Sequence, residues 1–326
     1  MPSMFPITRS VPDATNLAAE IAKRYPMADV PYCGLASRNM ADVYLVRDGT
    51  THYAARVWRN DCQTEDEIAF QTDFLAHLSG NGLSVLTPVP RTDGTLYFSI
   101  PAPEGQRFVA LFHWVDGELL GFSEKHHPYK KAGELIGGIH KLGEDFLPKT
   151  KRPFDLPGKI RGPLPKLRRM ASHRPDDLAF FEAAADAVCD RLAALDEEDV
   201  PTGFVHGDFH SGNACLTPAG DVVLFDFDCC STDWLCRDLI LFEWGNQLAG
   251  IDQAYSDSYI EGYESVRPLT EAERKHWPLM WAAMELYYLS AVADVMHVAG
   301  TAHMSFKGLD HSFAAIRSTV AAAEIM

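Results

Sequence analysis

Two short clusters of polar side chains within residues 205–228 could bind a metal ion or move a proton. The first cluster occupies residues 206–213, and the second contains Asp226 and Asp228. The residues between them have the pattern of a β-hairpin, in which two apolar stretches flank a turn-rich segment. Because a hairpin brings its two ends together, we expect the clusters to converge on one acidic site.

The residue types of this site fit the transfer of a phosphoryl group. Asp208 can accept the proton of an attacking hydroxyl. Asn213, Asp226 and Asp228 offer the oxygen ligands that Mg²⁺ prefers. A metal ion on the phosphate oxygens and a carboxylate aimed at the nucleophile are the two groups that this reaction most needs. A polar loop that only closes a hairpin would not require such side chains in this order, so we predict metal-dependent phosphoryl transfer.

Two histidines in the first cluster have other interpretations. His206 and His210 could suggest a zinc pair, but the neighbouring hard oxygens favour Mg²⁺. We interpret His206 as a buried residue that organises its loop. For His210, contact with substrate or phosphate and local hydrogen bonding remain equally open.

Size and charge exclude several classes of protein. The chain has 326 residues, of which 47% are hydrophobic and 23% charged, as in soluble proteins of one large or two ordinary domains. It has no apolar run of membrane-spanning length, and residues 1–16 lack the pattern of a secretory signal. The seven cysteines contain no C-x-x-C, which favours reduced thiols, and the net charge of −16 argues against nucleic-acid binding. We expect a cytoplasmic monomer or homodimer that binds neither nucleic acid nor membranes.

Residues 1–114 have the pattern of a small antiparallel sheet with one inserted helix. A leading helix at 16–25 would be capped by Asn16, and the inserted helix at 64–78 would begin with a capping box of Thr64 and Glu67. Strand patterns fall at 30–35, 41–46, 52–58, 86–90, 96–100 and 108–114.

Residues 115–326 are mainly helical in pattern. Helices are predicted at 129–142, 177–195, 238–248, 251–263, 270–297 and 306–323. We therefore expect an α+β fold, with a small β-rich domain at 1–114 and a larger helical domain at 115–326. Within the latter, the basic residues of 149–174 belong either to a solvated loop or to an anion-binding flap.

The two clusters resemble two motifs of a known family. HGDFHSGN at 206–213 and FDFD at 225–228 are similar to the catalytic loop and the metal motif of the aminoglycoside-phosphotransferase-like kinases. That family has a protein-kinase-like bilobal fold and includes homoserine, choline and methylthioribose kinases and a bacterial stress-response kinase. The resemblance implies ATP and Mg²⁺ as cofactors and extends over most of the chain. Residues 83–94 and 261–269 look most like homoserine kinases, and the second stretch also resembles the stress-response kinase.

The resemblance also implies roles for single residues. Asp208 looks like the catalytic base, and Asn213 and Asp226 look like Mg²⁺ ligands. Asp228 stands where protein kinases have glycine and is a candidate for an additional metal contact. Asp238 resembles a downstream aspartate that holds the catalytic loop.

The nucleotide-binding part of the chain departs from the family pattern. The family often has a lysine on the third strand that holds the phosphates and pairs with a helix glutamate. Here Arg56 would replace the lysine and Glu67 would be its partner, although a surface arginine and a simple capping residue are the alternatives. No glycine-rich loop is present, so Ser37 and Asn39 with nearby backbone amides must contact the phosphates.

The adenine and the acceptor are expected further along the chain. By the resemblance, adenine should lie against residues 112–118 and contact His113 and Val115. Glu285 and Tyr288 on the long helix could form a box for an ammonium group, but such a stripe is also typical of a core.

We expect transfer from ATP to a hydroxyl of a small metabolite such as homoserine or an amino alcohol. A protein serine/threonine kinase and a nucleotide-binding pseudokinase are the alternatives.

Overall fold

The computed structural model describes residues 7–122, 127–196, 200–299 and 306–326. The chain divides into two compact units. Unit 1 comprises Met1–Arg152, Ser211–Cys230 and Ser258–Val266, and unit 2 comprises Pro153–His210, Ser231–Asp257 and Arg267–Met326. The domain boundary predicted after residue 114 stays a prediction.

A five-stranded antiparallel sheet forms the first part of unit 1, in the order β1-β2-β3-β5-β4. Its strands are β1 (Tyr32–Arg38), β2 (Ala41–Asp48), β3 (Thr51–Trp58), β4 (Tyr97–Ala102) and β5 (Gly105–His113). The predicted turn between β2 and β3 is present, with Gly49 at a φ of 59°. The strand predicted at 86–90 is wrong. Pro88 forms only an isolated bridge to Phe112, and a proline has no amide hydrogen for a regular ladder.

Two helices accompany this sheet. They are α1 (Ala14–Arg24) and α2 (Glu65–Gly80). Leu17 and Ile21 of α1 pack with the buried face of the sheet. The cap of α1 is Asp13, whose side chain accepts a hydrogen bond from the Asn16 amide, so Asn16 is not the cap that the sequence predicted. The capping box of α2 is formed as predicted.

The rest of unit 1 contains the predicted hairpin. Strands β6 (Glu118–Leu119), β8 (Ala214–Leu216) and β9 (Val222–Leu224) form a three-stranded sheet in the order β6-β8-β9. Helix α3 (His127–Gly143) packs on the C-terminal part of α8 (Gln253–Val266). Gly133 permits this contact, because a Cβ there would lie 1.9 Å from the Tyr259 carbonyl oxygen.

Unit 2 is mainly helical. Its helices are α4 (Leu156–Arg161), α5 (Leu164–Met170), α6 (Pro175–Ala193), α7 (Arg237–Leu248), the start of α8, α9 (Glu271–Ala299) and α10 (Phe306–Ala322). Buried residues of α6, α7, α9 and α10 form one apolar core. A short antiparallel pair joins β7 (Thr202–Val205) to β10 (Ser231–Trp234). The sequence did not predict this pair, because strands of this length are too short to show an alternating pattern.

The basic segment at 149–174 contains α4 and α5 rather than a continuous loop. Ion pairs join Lys149 to Asp73, Arg152 to Glu67, Arg161 to Asp186, Lys166 to Asp294, Arg168 to Glu182 and Arg174 to Asp177. Most of its positive charge is therefore matched by nearby carboxylates.

The described ranges contain neither a membrane-spanning helix nor a disulfide. No helix within them is long and apolar enough to cross a membrane. The seven cysteines all lie within the described ranges, and no disulfide joins any of them.

Candidate active site

In unit 2, the loop that carries Asp208 is held by Asp238 in the first turn of α7. The Asp238 carboxylate accepts hydrogen bonds from the His206 amide at 2.8 Å and from the Gly207 amide at 2.7 Å. Gly207 has a φ of 81°, which glycine adopts without strain. Because Asp238 is fully buried, these two bonds fix the backbone immediately before Asp208.

Aromatic packing supports the same loop. His206 is fully buried, and its ring meets Phe209 edge-on at 5.7 Å. Phe209 in turn stacks on Phe242 of α7 at 5.4 Å. Asp208 itself is half-buried and His210 is exposed. His206 thus has the surroundings of a loop-organising residue, whereas the role of His210 stays a prediction.

In unit 1, Asn213 and Asp226 flank the β8–β9 hairpin. The Asn213 carbonyl accepts a hydrogen bond from the Phe225 amide at 3.0 Å, which places Asp226 beside Asn213 in the chain pairing. Asp226 has a φ of 65° and a ψ of 59°, a left-handed conformation that is uncommon for a residue other than glycine. Its side chain is 37% exposed. The hairpin therefore aligns two of the predicted metal ligands.

Arg56 of β3 pairs with both carboxylates of the second cluster. Its Nη2 atom donates to Oδ1 of Asp226 at 2.7 Å and to Oδ2 of Asp228 at 2.6 Å. Burial opposes the charge of this guanidinium, but the two carboxylates outweigh it and raise the Arg56 pKa. The pairing expected between Arg56 and Glu67 is not the one that forms.

Glu67 is engaged elsewhere. It closes the capping box with Thr64 and lies 3.5 Å from Arg152. The Glu67 carboxylate is therefore engaged by the first turn of α2 and by Arg152. A role for Glu67 at the nucleotide stays a prediction.

Asp228 has partners that the sequence did not reveal. Its Oδ1 atom accepts from Trp58 Nε1 at 2.9 Å and from Gln71 Nε2 at 3.0 Å. Its carbonyl oxygen accepts from Gln63 at 2.8 Å and from Arg152 at 2.6 Å. In the sequence, the one indication of the Gln71 contact is that Gln71 follows Glu67 by one turn of α2 and so lies on the same helix face.

A cavity of about 460 Å³ lies beside this cluster within unit 1. Ser37, Asn39, Arg56, His113, Val115 and Asp226 line it together with apolar residues such as Val43, Ala54, Leu86 and Phe112. A mainly apolar cavity with a few convergent polar groups is typical of a cofactor site. Five predicted nucleotide-site residues and one predicted metal ligand thus share one cavity.

Glu285 and Tyr288 lie on α9 in unit 2. Glu285 is 9% exposed, and burial raises its pKa although Trp244 and Trp281 donate hydrogen bonds to it. The Tyr288 ring packs on Trp244 with 4.4 Å between centroids. Aromatic rings therefore do surround this carboxylate, and its binding of an acceptor stays a prediction.

The model of the phosphotransferase enzyme family matches residues 32–269. The chain belongs to this family. It is therefore an ATP-dependent phosphotransferase that acts on a hydroxyl group.

Individual proteins of similar sequence also match most of this chain. An uncharacterized protein of Deinococcus radiodurans is 32% identical over 303 residues, which cover 91% of this chain and 87% of the relative. A homoserine kinase of Agrobacterium fabrum is 29% identical over 253 residues, which cover 75% of this chain and 72% of the kinase.

Solved structures of similar proteins confirm the predicted α+β, protein-kinase-like fold class. An amicoumacin kinase in complex with AMP-PNP and Ca²⁺ is 17% identical, with a TM-score of 0.75 and coverage of 94% of this chain and 93% of that chain. A microcompartment-associated aminopropanol kinase is 22% identical, with a TM-score of 0.72 and coverage of 95% and 96%.

Proposed function

We propose that this phosphotransferase transfers the γ-phosphoryl group of Mg²⁺-bound ATP to the hydroxyl of a small amino alcohol or hydroxy amino acid, homoserine being the first candidate. The observation that carries the nucleotide half of the proposal is the cavity that Arg56 and Asp226 share with Ser37, Asn39, His113 and Val115. The acceptor half is supported by similarity to a homoserine kinase and an aminopropanol kinase.

The side chains of unit 1 fit a magnesium ion. Asn213 and Asp226 supply an amide and a carboxylate oxygen at the end of one hairpin, and Asp226 faces the cavity. No group of three or more His, Cys, Asp or Glu side chains within the described ranges could hold a metal by itself. Mg²⁺ is usually held by one or two carboxylates together with substrate phosphates. Bound there, the ion would neutralise charge on those phosphates.

The remaining groups bind, orient and move a proton. Arg56 of β3 lines the cavity and would bind the phosphates there, and the apolar wall around Phe112 and Val115 would cover the adenine. Asp208 would orient the acceptor hydroxyl and take its proton as the new phosphate ester bond forms and the bond to the leaving ADP breaks. Asp238 keeps the backbone before Asp208 in place through its two amide contacts.

Charge and aromatic content support the proposed acceptor class. Glu285 would attract an ammonium group, and aromatic rings beside a carboxylate, as at Trp244 and Tyr288, are typical of sites for such a cation. The Lys149–Arg174 segment is less suited to hold a carboxylate, because most of its cations already have acidic partners.

The test is a screen of ATP consumption by the purified protein. The acceptors are homoserine, aliphatic amino alcohols, aminoglycosides, sugars without an amino group and generic protein substrates. We expect stimulation by amino alcohols or homoserine and none by amine-free sugars, with Asp208→Asn as the inactive control. If only protein substrates stimulate ATP consumption, the acceptor is a protein rather than a small molecule. If no acceptor stimulates ATP consumption, the proposal is contradicted.

A further inference from the structure

We propose that Asp228 is a positioning residue for Arg56, rather than a ligand of the metal. This inference rests on the proposed function, because it concerns how Arg56 is aimed at the nucleotide. In this chain Asp228 would be the carboxylate that pairs with the cation of β3, a role that the family resemblance assigned to Glu67.

Both carboxylate oxygens of Asp228 already accept hydrogen bonds. Oδ2 accepts from Arg56 at 2.6 Å, and Oδ1 accepts from Trp58 at 2.9 Å and from Gln71 at 3.0 Å. The side chain is only 16% exposed. These three donors occupy most of the roughly four acceptor positions of the carboxylate, so a metal ion at Asp228 would compete with them at a largely buried side chain.

Asp226 differs from Asp228 in exposure and in its contact with the cavity. Asp226 lines the 460 Å³ cavity and is 37% exposed, whereas Asp228 is not among the residues that line it. The Nη2 atom of Arg56 lies between the two carboxylates. If Asp226 serves the metal, Asp228 is the carboxylate that keeps a buried guanidinium paired, and a buried charge without a partner is strongly unfavourable.

Gln71 of α2 lies within hydrogen-bond distance of Asp228. Glu67 is held by Thr64 and Arg152 at the start of α2, but Gln71 reaches Asp228 from the same helix. The chain Arg56–Asp228–Gln71 therefore links β3 to α2 through a carboxylate that belongs to the metal motif. An arginine and an aspartate with a glutamine make the connection that a lysine and a helix glutamate would otherwise make.

A double-mutant cycle tests this link. The affinity for Mg·ADP is measured by calorimetry, and kcat and KM for ATP are measured in parallel, for wild type, Arg56→Met, Asp228→Asn and the double variant. Each single change should raise the ADP Kd and the KM for ATP by about 10- to 100-fold, as for a hydrogen bond to a charged group. In the Arg56→Met background, Asp228→Asn should add less than about twofold, because it acts through Arg56.

A charge swap supplies the rescue. Asp228→Asn together with Gln71→Glu reverses the hydrogen bond between the two side chains and returns one negative charge to the pair of residues 71 and 228. This pair should recover nucleotide affinity to within about threefold of wild type, whereas Asp228→Asn with Gln71→Ala should not. Gln71→Ala alone leaves every charge in place and should weaken nucleotide binding by only about threefold to tenfold. This variant serves as a milder test of the link in case the charge-changing variants do not fold.

Two results would overturn the inference. The first is that the effects of Arg56→Met and Asp228→Asn on the ADP Kd multiply in the double variant, as they do for two residues that act independently. The second is a rise in the Mg²⁺ concentration for half-saturation in Asp228→Asn that Arg56→Met does not share, which would make Asp228 a metal ligand. Both differ from failure of the proposed function, which would show as no phosphorylated product from the wild-type protein with any acceptor.

Discussion

Arg56 and Asp228 are separated by 172 positions in the chain, yet Nη2 of the one lies 2.6 Å from Oδ2 of the other. This contact joins the third strand of the sheet to the segment after the β8–β9 hairpin. It holds a cation in the wall of the 460 Å³ cavity, at a position where the family pattern often has a more mobile lysine.

Replacing Arg56 tests its role at the phosphates. We expect Arg56→Ala to raise the KM for ATP by about tenfold or more, because a charged hydrogen-bond donor is lost from the cavity. Arg56→Lys keeps the charge but not the fork of donors, and its KM should fall between those of wild type and Arg56→Ala. Steady-state kinetics at saturating Mg²⁺ measures this. An unchanged KM in Arg56→Ala would remove Arg56 from the phosphate site.

Asp238 gives a prediction that separates loop geometry from proton transfer. Asp238→Ala leaves the amides of His206 and Gly207 without their acceptor, which should cost about 2–5 kcal/mol of stability. It should also lower kcat, since Asp208 follows directly. Asp238→Asn keeps one acceptor oxygen and should be milder in both respects. Urea unfolding and kcat are the measurements, and a stable, fully active Asp238→Ala variant would contradict this account of the loop.

Gly133 and Gly245 form a matched pair in the helices. A Cβ at Gly133 would collide with the Tyr259 carbonyl, whereas a Cβ at Gly245 has nothing within 4 Å. Gly133→Ala should therefore destabilise the fold by several kcal/mol. Gly245→Ala should be neutral or stabilise it by about 0.5–1 kcal/mol through the higher helix propensity of alanine. Thermal or urea unfolding decides the prediction, and similar shifts for both variants would argue against the close packing of α3 on α8.

Glu285 provides a prediction about pH. Its folded-state pKa is raised by burial, so folding becomes less favourable as pH rises from the unfolded value of 4.5 through the folded one. Glu285→Gln removes this cost. The variant should be more stable than wild type at pH 8, with a smaller difference near pH 4. If Glu285 also binds the acceptor's ammonium, the same variant should raise the acceptor KM and leave the KM for ATP unchanged. Lower stability of Glu285→Gln at pH 8 would contradict the burial argument.

The sequence predicted those parts of the site that depend on local patterns. The hairpin, the capping box of Thr64 and Glu67 and the close spacing of Asn213, Asp226 and Asp228 all follow from residue type and short-range spacing. In contrast, the partners of Arg56 could not be predicted, because Glu67 and Asp228 are both chemically suitable. The choice between them depends on the capping of α2 and on the position of Arg152.

Other contacts in the structure could not be predicted either, because no local sequence pattern indicates them. Gln71 and Trp58 reach Asp228 across more than 150 positions of sequence, and no local pattern marks such a contact. The pairing of β7 with β10 involves strands too short to alternate visibly. The sequence alone leaves the basic segment able to bind an anion, but folding brings carboxylates such as Asp294 and Glu182 beside it.

We propose that the γ-phosphoryl group moves directly from ATP to the hydroxyl of a small amino-bearing acceptor, while Asp208 takes the proton of that hydroxyl. The most direct measurement is phosphorus NMR of ATP, Mg²⁺ and homoserine or an aliphatic amino alcohol with the wild-type protein and with Asp208→Asn. We predict a phosphate monoester of the acceptor, formed in equal amount with ADP. Its rate should fall by about 10²- to 10⁴-fold in Asp208→Asn, while ADP binding to that variant is retained. Free phosphate without an ester, or an ester formed at the same rate by Asp208→Asn, would contradict the claim.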